Sequence, residues 1–130
     1  MVGALLAIAV AVFARIVGLD RDRAFYPTVM IVIAALYSLF AVMGGSTTAL
    51  LGEMTAGAVF VVAATYGFRS SLWIVAAALT GHGIFDFVHG RLIANPGVPV
   101  FWPAFCGAYD VVAGAVMAWL LAAGRIRARA

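Results

Sequence analysis

Almost the whole chain consists of five apolar runs, each close to the ~20 residues that an α-helix needs to cross the hydrocarbon of a bilayer. Lipid offers no partner for backbone N–H and C=O groups, so runs of this length fold as helices rather than as an open sheet. The expected fold is an all-α integral membrane protein, a bundle of five transmembrane helices forming one domain over residues 1–130. The helices are placed at about residues 2–19, 27–44, 46–66, 71–92 and 103–124. Pro27 suits the first turn of the second helix, and Pro103 opens the fifth. Gly44-Gly45 and Gly67-Phe68-Arg69-Ser70 mark turns. Composition agrees. Only 10% of the 130 residues are charged and 66% are hydrophobic, with a mean hydropathy of +1.14, whereas a soluble domain carries roughly a quarter charged residues.

Arginine placement gives an orientation. All eight basic residues are arginines. Arg15, Arg21, Arg23, Arg69, Arg125, Arg127 and Arg129 fall at one face of the five-helix topology, and Arg91 alone at the other. By the positive-inside rule the N-terminus is outside, the C-terminus is cytoplasmic and the chain lies in the cell membrane, read as an inner membrane. The first helix has no basic segment before it, so it reads as an uncleaved anchor. Arg15 is expected to snorkel from the helix end, and Asp20-Arg21-Asp22-Arg23 to form a solvated loop. The basic balance points to anionic lipid rather than nucleic acid. Without a lysine there is no Schiff-base chemistry. A single cysteine, Cys106, excludes an internal disulfide or a CxxC redox pair.

Against this apolar background, His82, Asp86 and His89 stand in the spacing H-x3-D-x2-H. Steps of four and three return to the same helix face, so the three side chains project together. Two imidazoles and a carboxylate are a metal-ligand or acid–base set, and ionisable groups inside membrane helices are costly and usually functional. At ~1.5 Å per residue, Glu53 lies roughly 9 Å and Asp110 roughly 12 Å below the outer ends of their helices. On the same scale His89, Asp86 and His82 lie about 4, 8 and 14 Å deep. All five fall in the outer half of the bilayer, which points to one polar pocket with Arg91 at its mouth. His82, Asp86 and His89 are the expected metal ligands, for a divalent ion such as zinc or iron. Glu53 and Asp110 are the expected catalytic carboxylates. Held protons could balance the charge instead of a metal. Cys106 shares a helix face with Asp110 and is an extra ligand or a small core residue. Gly81 and Gly83 flank His82 for close approach, a bend or packing. Ala104, Ala108, Val111 and Ala115 form a small-residue stripe suited to helix packing. The connection from Asn95 to Trp102 is an anchored loop or a lid.

The segment Gly81-His82-Gly83-Ile84-Phe85-Asp86-Phe87-Val88-His89, followed by Phe105-Cys106-Gly107-Ala108-Tyr109-Asp110, resembles small bacterial multi-pass membrane proteins of unknown function. In that group a His–Asp–His helix precedes a last helix with Cys-x-x-x-Asp. The resemblance spans roughly residues 66–120 and implies no activity. A fainter similarity is to membrane hydrolases that hold zinc with histidines and an aspartate; these have seven helices and more histidines, so their activity is not carried over.

Three functional classes follow. The favoured one is a membrane metalloenzyme, a metal-dependent hydrolase or an acid–base lipid enzyme, acting on a lipid-like or apolar small molecule. The second is a small proton- or cation-coupled transporter, which the lack of polar groups in the inner half disfavours. The third is a structural or accessory subunit of a membrane complex. Self-association fits any of them.

Overall fold

The computed structural model covers residues 1–130 and is built of five helices joined by short connections. They are α1 (Val2–Val17), α2 (Phe25–Met43), α3 (Thr47–Arg69), α4 (Leu72–Leu92) and α5 (Trp102–Ala122). Four of them, α2 to α5, are long and apolar enough to cross a membrane. At 16 residues α1 is shorter than the 18 expected, spanning about 24 Å against a hydrocarbon thickness of ~30 Å. Gly18, in the left-handed conformation at φ 87°, ends it two residues early by returning its N–H to the Ala14 carbonyl. At the other extreme α3 runs three residues past the expected end to Arg69. Gly67 is therefore not a turn residue but an interhelical contact against Ile74 and Val75. The Ser46 side chain caps the start of α3 by accepting from Ala49 N at 3.1 Å.

The central element is α4, which packs most extensively against α5 and also meets α3 and α2. Separate pairings join α2 to α3 and α1 to α5. The α1 contact uses Gly3, Ala7, Ala11 and Ala14, small residues that bring the backbones together. On α5 the buried small residues are Gly107, Ala113 and Gly114, whereas Ala104 and Ala115 of the expected stripe face outward. Beside the polar residues, α4 and α5 cross at Gly83 against Gly107. A Cβ on Gly83 would stand 2.8 Å from the Gly107 carbonyl oxygen and 2.8 Å from a Val111 methyl. A Cβ on Gly81 would meet nothing.

The distribution of polarity is inverted relative to a soluble domain. Leu5, Ile16, Val42, Leu51, Val59, Val62, Ile84, Phe87 and Trp119 are exposed, while Glu53, His82, Asp86, His89 and Asp110 are buried. This arrangement fits an all-α membrane bundle. At the end rich in arginine, the segment 125–130 folds back. Leu72 N donates to Ala128 O at 2.7 Å, and Ile126 is buried. Arg23 donates to the carbonyls of Arg127 (2.6 Å) and Phe68 (2.9 Å). Arg15 donates to Asp20 Oδ2 and to the Arg125 carbonyl, both at 3.2 Å. Asp20 is thus buried in an ion pair rather than solvated, because the returning tail covers it.

Replacing Gly83 by alanine is expected to force α4 and α5 apart and to lower stability by about 1–3 kcal/mol, the usual cost of overpacking. Gly81→Ala, two residues away in open space, should leave the melting temperature in detergent unchanged. Equal effects of the two substitutions would refute the crossing.

Candidate metal centre and its neighbouring acid–base pair

The one-face spacing of α4 buries His82, Asp86 and His89 together, each at 1–2% exposure. They do not share a site. The close Gly83–Gly107 crossing places the first turns of α5 beside His82, and His82 Nδ1 lies 2.7 Å from Asp110 Oδ2. Asp86 Oδ2 is 3.6 Å from the same nitrogen. The Cys106 thiol donates to Asp110 Oδ2 at 3.7 Å. One ligand atom from each of His82, Asp86, Cys106 and Asp110 can be chosen so that all lie within 4.8 Å of one another. This is a buried N, O, O, S donor set capable of holding a metal ion.

Two turns along α4, His89 belongs to a different group. Its Nε2 is 2.7 Å from Glu53 Oε1 on α3, and Asn95 Nδ2 donates to the same oxygen at 2.8 Å. Asn95 also donates to the Tyr37 carbonyl at 3.0 Å, and its Oδ1 accepts from Gly97 N at 3.2 Å. Gly97 lies so close to α2 that a Cβ there would overlap the Phe40 carbonyl. The connection after α4 is therefore anchored, by Asn95, by Gly97 and by Trp102 packed edge-on against Phe40 at 5.0 Å. Of the sequence-derived residues, His82, Asp86 and Asp110 come together with Cys106, while His89 and Glu53 form their own pair.

Tyr37 and Asn95 were not anticipated. Tyr37 sits in an acid-free helix, and only the packing of α2 on α4 brings its ring onto His89, stacked at 3.9 Å and 15°. The same ring lies tilted 6.1 Å from His82, so Tyr37 stands between the two groups. Phe60 and Phe85 complete an aromatic wall around both imidazoles. A tyrosine in the middle of an apolar helix, and an Asn-Pro step beside a polar helix end, were the available signals.

The polar atoms are unevenly satisfied. The Glu53 oxygen accepts twice, yet both oxygens of Asp86, Asp110 Oδ1 and the Tyr37 hydroxyl are buried without a hydrogen-bond partner. A buried polar group left unbonded costs about 1–3 kcal/mol, more when charged. Charge sharpens this. With His82 neutral, ionised Asp86 and Asp110 total −2, which one divalent cation neutralises; binding through Cys106 as well would release the thiol proton and leave the set at −1.

Since the Tyr37 hydroxyl is buried and unbonded, Tyr37→Phe removes a desolvation penalty and should raise stability by about 1–3 kcal/mol. Asp110→Ala removes the partner of a buried imidazole and should cost about 1–3 kcal/mol. Denaturant titration in detergent measures both, and a loss for Tyr37→Phe would contradict the geometry. Comparison of the chain with protein-family models, with curated proteins and with solved structures finds no match in any of the three.

Proposed function

We propose that this chain is a multi-pass membrane protein that holds one divalent cation between α4 and α5 and serves as a metal-dependent enzyme on an apolar, lipid-like substrate. The observation that carries the metal is Asp86, a fully buried carboxylate whose two oxygens have no hydrogen-bond partner although a histidine, a thiol and a second carboxylate surround it. Magnitudes favour this over a purely structural network. Interhelical polar contacts in membrane proteins average about 0.6 kcal/mol and reach about 1.7. Transferring each carboxylate into a low-dielectric interior costs several kcal/mol. The His82–Asp110 contact alone does not offset that, whereas a cation bound by both carboxylates does.

Imidazole and thiol donors beside carboxylates suit zinc or iron better than magnesium or calcium, which take oxygen ligands. His82, Asp86 and Asp110 would hold the ion, with Cys106 as the fourth donor, so that Asp110 is read as a ligand and Glu53 as part of the separate acid–base pair. A zinc-class ion supplies Lewis acidity and lowers the pKa of a bound water. The aromatic wall of Tyr37, Phe60 and Phe85 keeps bulk water away, and the outward-facing surface of aliphatic side chains favours substrates that arrive through lipid. Transport is disfavoured because the buried acids and imidazoles of α3 to α5 occupy one half of the bundle. We further place that half on the outside of the cell membrane, with the seven-arginine end cytoplasmic. The His–Asp–His and Cys-x-x-x-Asp helices are read as a feature shared with the small bacterial membrane proteins that the sequence resembles.

Elemental analysis tests the metal. Purified wild type and His89→Gln should each carry one zinc-class ion per chain, and Asp86→Asn should carry none. At 100-fold ligand excess over Kd the ion would stabilise the fold by about 2.7 kcal/mol, so a chelator should lower the melting temperature of the wild type and leave that of Asp86→Asn unchanged. A wild type that takes up no ion on zinc loading, with a chelator-insensitive melt, defeats the proposal. Orientation has its own check in a Cys106→Ala background. A membrane-impermeant maleimide should label Val100→Cys, a fully exposed position, in intact cells, and Ala130→Cys only after lysis. The opposite pattern reverses the topology.

A further inference from the structure

A cavity of about 440 Å³ opens beneath the connection between α4 and α5, lined by His89, Ile93, Asn95, Pro96, Val98 and Pro99 among others. This volume lies within the range of small-molecule sites. It is distinct from the metal centre. His89 stands seven residues beyond His82 on α4, roughly 10 Å away along the axis, and pairs with Glu53 rather than with the donor set.

The lining has a specific chemistry: its side-chain amide donor is spent, while its imidazole keeps one nitrogen uncommitted. Pro96, Pro99 and Pro103 all border the cavity and carry no N–H. The Asn95 amide donates to Glu53 and to the Tyr37 carbonyl. The last carbonyls of α4 border this end and carry the negative end of the helix dipole. No lysine, arginine or carboxylate lines it. Of the two His89 nitrogens, Nε2 is held by Glu53, whose oxygen is fixed in turn by Asn95, so Nδ1 is the nitrogen left for a ligand. A carboxylate accepting Nε2–H makes Nδ1 the acceptor in the neutral ring.

We propose that this cavity binds the head group of a small amphiphile carrying an O–H or N–H donor, with His89 Nδ1, oriented by Glu53 and Asn95, as the principal acceptor. Ile93 and Val98 supply contact for the apolar part next to the head. Aliphatic alcohols and primary alkylammonium ions share this chemistry and are separated by experiment.

The chain has only two histidines, so ¹⁵N-histidine labelling in detergent gives two ring systems, assigned by the loss of one in His89→Gln. His89 should appear as the Nε2–H tautomer. Titration with 1-octanol in one arm and octylammonium in the other should move the His89 Nδ1 resonance saturably while His82 stays in place. Saturation by one probe alone identifies the head group. Val98→Trp, which fills the cavity, should abolish the response without shifting His82. An Nδ1–H tautomer, a His89 signal unmoved by both probes, or equal non-saturating shifts of both histidines would overturn the proposal. Zinc addition acts on the His82 signals and alkyl probes on those of His89, so failure here is distinguishable from failure of the metal reading.

Discussion

The approach of α4 to α5 is the constraint on which the remaining structure depends. Two glycines, Gly83 and Gly107, meet where any side chain would collide with backbone, and this contact sets the His82 imidazole 2.7 Å from Asp110. Helices separated by a further side-chain layer would leave Asp86 and Asp110 as isolated carboxylates in an apolar interior, each at a cost of several kcal/mol. Close backbone approach and the buried donor set are one feature. Small residues make the approach possible, and the approach makes the charges tolerable.

The other half of the polar interior is held by hydrogen bonds. His89 Nε2 pairs with Glu53, and Asn95 adds a second donor to the same carboxylate oxygen. Tyr37 lies against both imidazoles, with the shorter contact to His89. Aromatic rings keep the two groups dry while leaving them distinct, so one helix face carries two kinds of chemistry about two turns apart. One is a donor set shaped for a cation, and the other an imidazole held by a carboxylate next to an open cavity.

The helical class and the approximate extent of the helices were legible because hydrocarbon-length apolar runs permit little else. Helix ends were read less well, since tertiary contacts decide them. Gly67 continues α3 because Val75 packs against it, and α1 stops early because Gly18 takes a left-handed turn. Asp20 looked like a loop residue and is buried, because the 125–130 segment returns over it.

Sequence periodicity by itself determined that His82, Asp86 and His89 lie on one buried face, because steps of four and three residues close a helical turn. Counting residues from the helix ends placed Glu53 and Asp110 in the same half of the bundle. Which of these residues touch was decided only by the tertiary structure. A helix face two turns long is wider than one neighbour, so α5 takes His82 and Asp86 while α3 takes His89. Periodicity describes one helix at a time; the partner of each side chain depends on crossing angles and close contacts that small residues allow and that no spacing within a single helix records.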